Sequence, residues 1–248
     1  MTVVLVHGNP ETAAIWGPLV DALGREDVVR LSPPGFGAPL PDGFSATYLD
    51  YRDWLEGELA RFDEPVDLVG HDWGGGHVVT VAMHRPELVR SWASDAVGLF
   101  DPEYIWHDLA RVWQTPGEGE QAVAAMLGGS AEERAEGMVA LGIPRDIATS
   151  IAAEQGPDMG RAILALYRSA RQPAMAEAGR DLANAAARPG LSILATDDPY
   201  IGASDLRTRA ADRAGARTAV LDGLGHWWMV QDPARGADAL TGFWKSLA

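Results

Sequence analysis

The fold is decided by one stretch of the chain, Val66-Asp67-Leu68-Val69-Gly70-His71-Asp72-Trp73-Gly74-Gly75-Gly76. It begins as a short apolar strand, continues as a tight turn with glycine on either side, and opens a helix predicted over residues 73–85. A strand–turn–helix of this kind lifts one side chain above a sheet, and glycine avoids the Cβ atoms for which the strained turn has no room. The side chain at the apex of the turn is Asp72.

An aspartate at this apex implies a particular chemistry. A carboxylate is a poor nucleophile toward carbonyl carbon, but it displaces a leaving group from saturated carbon and forms an ester with the substrate. Asp72 therefore predicts hydrolysis of a C–O or C–halogen bond at an sp3 carbon. The alternative interpretation is structural: a glycine-rich turn that lets the helix pack closely, with Asp72 as the helix cap.

Composition excludes several classes of function. The chain has 248 residues, enough for one large α/β domain with an insertion. A net charge of −15 argues against nucleic acid or an anionic membrane as a partner. There is no cysteine, which excludes disulfides, thiol catalysis and thiolate metal sites. The first apolar run is too short for a signal segment and no later run approaches the ~20 residues of a membrane span, so we expect a soluble cytoplasmic protein.

Six short apolar runs are predicted to be parallel strands, because each precedes a helical pattern or a long crossover. They are residues 3–6, 28–31, 66–69, 90–94, 191–195 and 218–221. Amphipathic helices are predicted between and after them, over residues 13–23, 48–62, 73–85, 204–214 and 233–247. This alternation predicts an α/β fold with a doubly wound parallel sheet and helices on both faces.

No strand pattern occurs between residues 98 and 187, where short helical runs are broken by glycine and proline. We expect residues 98–187 to form a helical cap, inserted into a core made of residues 1–97 and 188–248. Ligands of such sheets bind at the carboxyl ends of the strands. A cap would cover that edge, exclude water and supply side chains that shape the substrate pocket.

A carboxylate nucleophile needs a general base, an acid that orients the base, and backbone donors for the developing negative charge. His226 follows the last predicted strand and is the candidate base. The orienting acid is either Asp198, after the fifth strand, which we favour, or Asp95, at the end of the fourth. The oxyanion donors are predicted to be the backbone N–H groups of Trp73 and Asn9.

Neither a metal nor another cofactor is predicted. The sequence has no metal-ligand set, no phosphate-binding loop and no Gly-x-Gly-x-x-Gly after the first strand. The expected partner is a small, mostly apolar and neutral substrate, bound by a monomer or a homodimer.

With these segments placed, the chain resembles the epoxide hydrolase and haloalkane dehalogenase branch of the α/β-hydrolases. The resemblance covers nearly the whole chain and rests on His7-Gly8-Asn9-Pro10, Gly70-His71-Asp72-Trp73-Gly74, the cap, Asp198 and Gly225-His226-Trp227. It implies an α/β-hydrolase fold. The family usually has two strands before the His-Gly-x-Pro strand, so the resemblance implies a sheet of about six strands instead of eight.

Three features are similar to epoxide hydrolases. The resemblance implies that Tyr167, on a predicted cap helix, protonates the opening epoxide oxygen. The Gly225-His226-Trp227 form of the histidine motif and the position of Asp198 also match that group. The second family tyrosine is missing, since Val112 stands at its expected position, and Tyr104 is the candidate replacement.

Other features are similar to haloalkane dehalogenases. That resemblance implies that the Asn9 side chain and the Trp73 indole N–H hold a leaving halide, and many dehalogenases keep their acid at the position of Asp95. We therefore expect an epoxide hydrolase that forms a diol, with a haloalkane dehalogenase releasing halide and alcohol as the alternative. A non-catalytic ligand sensor with the same fold is the alternative from another class, and the complete catalytic set disfavours it.

Overall fold

A six-stranded parallel sheet is the centre of the computed structural model, which describes residues 1–247. The strands are β1 Val3–Val6, β2 Val28–Leu31, β3 Val66–Gly70, β4 Val89–Ser94, β5 Gly190–Ala195 and β6 Arg217–Leu221. Their order is β2-β1-β3-β4-β5-β6, and every neighbouring pair is parallel. The predicted strands are confirmed, each to within one residue at either end.

Helices flank the sheet on both faces. They are α1 Gly17–Leu23, α2 Tyr48–Leu59, α3 Trp73–His84, α4 Asp108–Gln114, α5 Glu118–Leu127, α6 Ala131–Ala140, α7 Arg145–Glu154, α8 Pro157–Ser169, α9 Ala174–Ala178, α10 Ser204–Arg213, α11 Trp228–Gln231 and α12 Pro233–Lys245. Side chains of β1 alternate between the two layers: Val4 packs with Leu55 of α2, and Val3 packs with Leu19 of α1. The predicted doubly wound α/β-hydrolase fold is confirmed.

Two predicted helices differ in extent from the observed ones. The helix predicted over residues 13–23 is a 3-10 turn, Ala13–Trp16, followed by α1, whose first turn contains Pro18. Proline lacks an N–H and is tolerated only in the first turn of a helix, so a new helix starts there. The helix predicted over residues 48–62 ends at Leu59. The chain continues past Leu59 in tighter turns, in which the N–H of Arg61 donates to the carbonyl of Glu58 and the N–H of Phe62 to that of Leu59.

Between β4 and β5 the described chain contains helices and 3-10 turns but no strand. Helices α4, α5 and α8 pack on one another, and α6 packs on α7. The 3-10 segment Gly179–Ala187, at the end of this region, packs against α3 of the core. The cap boundaries at residues 98 and 187 remain a prediction. Among residues 1–247, no helix is both long and apolar enough to cross a bilayer.

Candidate active site

Five loops meet at the carboxyl edge of the sheet and carry the predicted site residues. The loops follow β1, β3, β4, β5 and β6, and they carry Asn9, Asp72, Asp95, Asp198 and His226. The carboxyl ends of parallel strands lie at one edge, so residues far apart in the sequence come together there.

The turn after β3 holds Asp72 in a strained conformation, with φ of 51° and ψ of −124°. The backbone N–H of Asp72 donates to Oδ1 of Asp95 at 2.9 Å. A Cβ at Gly70 would lie 2.4 Å from the carbonyl oxygen of Gly74, and one at Gly74 would lie 2.1 Å from that of Val6. The glycines therefore allow β1, β3 and α3 to approach closely, and this packing maintains the strained turn.

The two oxygens of the Asp72 carboxylate have different surroundings. Oδ1 accepts the backbone N–H of Asn9 at 3.1 Å, and the backbone N–H of Trp73 also stabilises the ionised carboxylate. A Cβ at Gly8 would lie 2.2 Å from Oδ1, so only glycine fits beside it. Oδ2 lies 3.9 Å from Nε2 of His226. Oδ1 is thus held by one of the two predicted oxyanion donors, and Oδ2 is the oxygen that faces His226.

Burial sets the reactivity of the Asp72 carboxylate. Burial raises the pKa of Asp72 to about 6, although the charges of His226 and His71 act to lower it. The carboxylate is therefore ionised at neutral pH but poorly solvated. A buried anion with one unblocked oxygen has the properties of a nucleophile.

His226 lies between two carboxylates. Its Nδ1 lies 3.0 Å from Oδ2 of Asp198, and its Nε2 faces Asp72. The second oxygen of Asp198 accepts the backbone N–H of Tyr200 at 2.8 Å, which fixes the carboxylate. Burial and the charge of His71 act to lower the pKa of His226, but Asp198 and Asp72 outweigh them and raise it. The structure therefore brings together the predicted nucleophile, base and favoured acid.

Asp95, the alternative acid, is paired with a different histidine. Its Oδ2 lies 2.5 Å from Nδ1 of His71 and accepts the indole N–H of Trp228 at 2.7 Å. Its Oδ1 holds the backbone of Asp72. Asp95 therefore supports the elbow and is not the carboxylate beside the base.

Glu11 is a buried site residue that the sequence analysis missed. Its Oε1 accepts the indole N–H of Trp227 at 2.5 Å and lies 3.2 Å from Nε2 of His71. Its Oε2 has no partner among the described residues. Burial acts to raise the pKa of Glu11, but the charges of His71 and His226 outweigh it and lower the pKa. Its position directly after His7-Gly8-Asn9-Pro10 was the available signal.

The side chains of Glu11, His71 and His226 bring potential ligand atoms to within 4.8 Å of one another. They do not suit a metal ion. His71 already bonds Asp95 through its other nitrogen, and Asp95 and Glu11 raise its pKa well above the usual value although burial acts to lower it. A protonated imidazole is not a metal ligand.

Tyr167 reaches the site from α8, and its hydroxyl oxygen lies among N–H donors. The Asn9 side-chain amide donates to this oxygen at 3.0 Å. Burial and the charge of Asp72 raise the pKa of Tyr167 well above its usual value, while hydrogen bonds from the side chains of Asn9 and Trp73 act to lower it. These donors bind the oxygen, so the phenol proton remains available for a group in the pocket.

Tyr104, the candidate for the missing second tyrosine, lies near this site but does not line the cavity. Its hydroxyl donates to the backbone carbonyl of Tyr200 at 3.1 Å, and its side chain is not part of the pocket wall. Val112 is not part of that wall either.

A cavity of about 120 Å³ lies over Asp72. Its polar wall contains Asn9, Glu11, His107, Tyr167, Tyr200 and His226. The rest of the wall is mostly apolar and comes largely from α4 to α7 and their connections, with Leu109, Trp113, Met126, Met138, Leu141 and Ile143. Apolar cavities of ~150 Å³ hold a benzene molecule, so this one suits a small apolar group.

The six-stranded parallel sheet with helices on both faces is the fold of the α/β-hydrolases, and the comparison of sequences agrees. The chain belongs to the alpha/beta hydrolase family, whose model matches residues 3–239.

Known relatives match parts of the chain. A protein of Mycobacterium tuberculosis named probable oxidoreductase EphD is 33% identical over 129 residues, which cover 46% of this chain and 21% of that protein. A haloalkane dehalogenase of Mesorhizobium japonicum is 29% identical over 140 residues, covering 49% of this chain and 42% of that enzyme. The matches thus span about a fifth of the first relative and less than half of the second.

A solved structure extends the likeness to the whole fold. The crystal structure of E-2-(acetamidomethylene)succinate hydrolase superimposes with a TM-score of 0.75 at 20% identity, covering 98% of this chain and 91% of that one. At this identity the likeness concerns the fold alone.

Proposed function

We propose that the protein is an epoxide hydrolase that opens a small, mostly apolar epoxide through an ester with Asp72 and releases a diol. The observation that carries this proposal is the Tyr167 hydroxyl. Its oxygen accepts the Asn9 amide, while its proton is free to go to a leaving oxygen. An epoxide oxygen leaves carbon as an alkoxide and needs such a proton.

In the first step, Oδ2 of Asp72 attacks one carbon of the epoxide ring, and the C–O bond at that carbon breaks. The electron pair of the broken bond goes to the epoxide oxygen, which takes the proton of Tyr167. N–H groups of Asn9 and Trp73 stabilise the resulting phenolate. The product is a hydroxyalkyl ester of Asp72.

In the second step, water hydrolyses this ester. Esterification removes the negative charge of Asp72, which is one of the causes that raise the pKa of His226, so the neutral imidazole is favoured and acts as the base. His226 takes a proton from water, and the hydroxide attacks the ester carbonyl. Negative charge develops on Oδ1, where the backbone N–H groups of Asn9 and Trp73 stabilise it.

The intermediate then collapses to the Asp72 carboxyl group and a diol. The departing alkoxide takes the proton held by His226, and the second proton of the water leaves the carboxyl group and restores the Tyr167 phenol. Epoxide and water are thus converted to diol with no other reactant.

Glu11 is well placed to hold the hydrolytic water. Its Oε2 is buried without a protein partner, and its carboxylate lies within 4.8 Å of a His226 nitrogen. The protein encloses Oε2, so Glu11 would act on a water beside His226 through its negative charge. We infer that Glu11 orients the water while His226 removes its proton.

The lining of the pocket supports a small neutral substrate. Most of the wall is apolar, and the charged groups near Asp72 are already paired with one another. An ionic substrate would have no counter-charge there. We therefore propose that residues 98–187 act as a cap that admits small uncharged epoxides.

A haloalkane dehalogenase is the second candidate. The similarity to the Mesorhizobium japonicum enzyme favours it, as do the side-chain N–H groups of Asn9 and Trp73 beside Asp72. In the present arrangement, however, these donors are directed at the oxygen of Tyr167. A halide would have to compete with that oxygen for the same donors.

The test compares two substrates, styrene oxide and 1-bromobutane. We expect diol formation from styrene oxide, and we expect Tyr167→Phe to reduce it about 100-fold or more, because the leaving alkoxide loses its proton donor. Tyr48→Phe is the matched control, since Tyr48 lies outside the pocket wall. Bromide release without any diol, unchanged in Tyr167→Phe, would favour the dehalogenase.

A further inference from the structure

Opening an epoxide places negative charge on an oxygen inside a mostly apolar pocket. That oxygen has two lone pairs at the start and gains a third as the C–O bond breaks, so one hydrogen-bond donor leaves it poorly solvated. Tyr167 provides one donor. The nearest backbone N–H, that of Asn9, is already bonded to Oδ1 of Asp72.

His107 offers a second donor in the wall of the same pocket. It precedes α4, and its Nδ1 accepts the backbone N–H of Ala110 at 3.2 Å. A ring nitrogen that accepts an N–H carries no proton, so the proton of the neutral imidazole is on Nε2. Burial lowers the pKa of His107 to about 4, so the ring is neutral at pH 7. Nε2 has no hydrogen-bond partner among residues 1–247.

The position of the His107 ring suits this role. The ring lies between Tyr167 and Tyr200, with centroid distances of 6.4 and 5.2 Å. The Tyr200 ring in turn packs on His226 at 4.9 Å, on the side of the base. The His107 ring thus contacts the ring of the proposed proton donor on one side and the ring that packs on His226 on the other.

The other donors nearby are unsuitable. The Tyr104 hydroxyl already donates to the backbone carbonyl of Tyr200, and Tyr104 is not part of the pocket wall. The indole nitrogen of Trp113 has no partner, but the protein encloses it and leaves it no exposure to the cavity. Neither group can donate to a molecule in the pocket.

We propose that the Nε2–H of His107 is the second hydrogen-bond donor to the epoxide oxygen, beside the hydroxyl of Tyr167. This inference rests on the proposed epoxide hydrolase function. As Asp72 forms its bond to carbon and the C–O bond breaks, Tyr167 transfers its proton to the oxygen. His107 keeps its own proton and stabilises the developing charge.

The experiment isolates the ring-opening step. In His226→Gln the ester cannot be hydrolysed, so the rate of Asp72 alkylation by styrene oxide is measured by quenched-flow intact-protein mass spectrometry. His107→Asn is added to this parent variant. Asparagine is a good helix N-cap and keeps an acceptor for the Ala110 N–H, but it has no group at the position of Nε2. His107→Gln instead places an amide N–H near that position.

We expect His107→Asn to slow alkylation about 10- to 100-fold, the scale of one lost oxyanion donor or somewhat less. His107→Gln should recover most of the rate. In a chain with His226 intact, the hydrolysis rate of the preformed ester should be unchanged by His107→Asn. A purely structural role for His107 would slow both steps.

Two results would overturn the role of His107: an alkylation rate in His107→Asn equal to that of its parent, or slowing by Tyr200→Phe and not by His107→Asn. A parent variant that forms no adduct at all with styrene oxide would overturn the epoxide hydrolase function, and the role of His107 with it.

Discussion

Two histidine–aspartate pairs lie side by side at the carboxyl edge of the sheet, and their surroundings differ. The rings of His71 and His226 are 4.5 Å apart between centroids. His71 has a carboxylate at each nitrogen, Asp95 at Nδ1 and Glu11 at Nε2. His226 has a carboxylate within hydrogen-bonding distance only at Nδ1, where Asp198 lies, and its Nε2 faces the nucleophile across 3.9 Å.

In the proposed mechanism, this difference separates a histidine with a structural role, His71, from the histidine that acts as the base, His226. Burial acts to lower the pKa of His71, but Asp95 and Glu11 outweigh it and raise the pKa well above its usual value. The pKa of His226 is raised in part by Asp72, and esterification of Asp72 would remove that contribution. A histidine can therefore exchange protons during turnover only when one nitrogen is open to the reacting groups.

The largest expected effect comes from replacing each histidine. His226→Gln should reduce turnover by ~10⁴-fold or more, because water is no longer activated, while the ester on Asp72 accumulates. His71→Gln should trap no ester, and it should lower the free energy of unfolding by about 3–5 kcal/mol because two buried carboxylates lose their counter-charge. Intact-protein mass spectrometry and urea denaturation measure the two outcomes.

The control for this comparison is Asp72→Ala, which should be inactive and form no adduct. Activity retained in Asp72→Ala, or an ester trapped by His71→Gln, would contradict the assignment of the two histidines.

The next effect distinguishes the two acids. Asp198→Asn should lower kcat by ~10³- to 10⁴-fold, as loss of the orienting carboxylate does in related triads. Asp95→Asn should act mainly on stability, lowering it by about 3 kcal/mol, because it weakens the pairing of the charged His71 and the bond to the Asp72 backbone. Steady-state kinetics and thermal denaturation of both variants test this. A large loss of kcat in Asp95→Asn, with Asp198→Asn nearly unaffected, would make Asp95 the acid.

A smaller effect concerns pH. The nucleophile must be ionised, and the pKa of Asp72 is about 6, so alkylation should be fast above pH 6 and fall toward tenfold slower at pH 5. The charge of His226 acts to lower the pKa of Asp72. In His226→Gln the fall in alkylation rate should therefore occur at higher pH. Single-turnover alkylation rates with styrene oxide between pH 5 and 8 measure this fall in the unchanged protein and in His226→Gln. A rate that stays constant down to pH 5 would contradict this account.

The smallest effect concerns Glu11, the carboxylate beside Nε2 of His71. Glu11→Gln keeps an acceptor for Trp227 and His71 but removes the negative charge of the side chain. Hydrolysis of the ester should slow roughly fivefold, well below the ~10²- to 10⁴-fold contribution of a general base, and alkylation should be unchanged. Time-resolved mass spectrometry of the ester separates the steps. Equal slowing of both steps would indicate a general loss of structure instead.

The sequence by itself determined the strands and the elbow. These features depend on residues adjacent in the chain: short apolar runs bounded by turns, and glycines around Asp72 that allow backbones to approach closely. The sequence was less accurate for helix ends: one predicted helix is interrupted near Pro18, and another ends at Leu59 instead of residue 62. Near Pro18, local backbone sterics compete with the amphipathic pattern.

Only the tertiary structure decided which side chains meet. Asp95 and Asp198 both follow a strand, and their sequence contexts do not separate them; the hydrogen bonds of the folded chain place Asp95 with His71 and Asp198 with His226. The direction of the Asn9 amide toward Tyr167 likewise joins residues 158 positions apart. Sequence patterns report burial and local conformation, whereas pairing at a buried site depends on distances and angles that strand order and side-chain packing set.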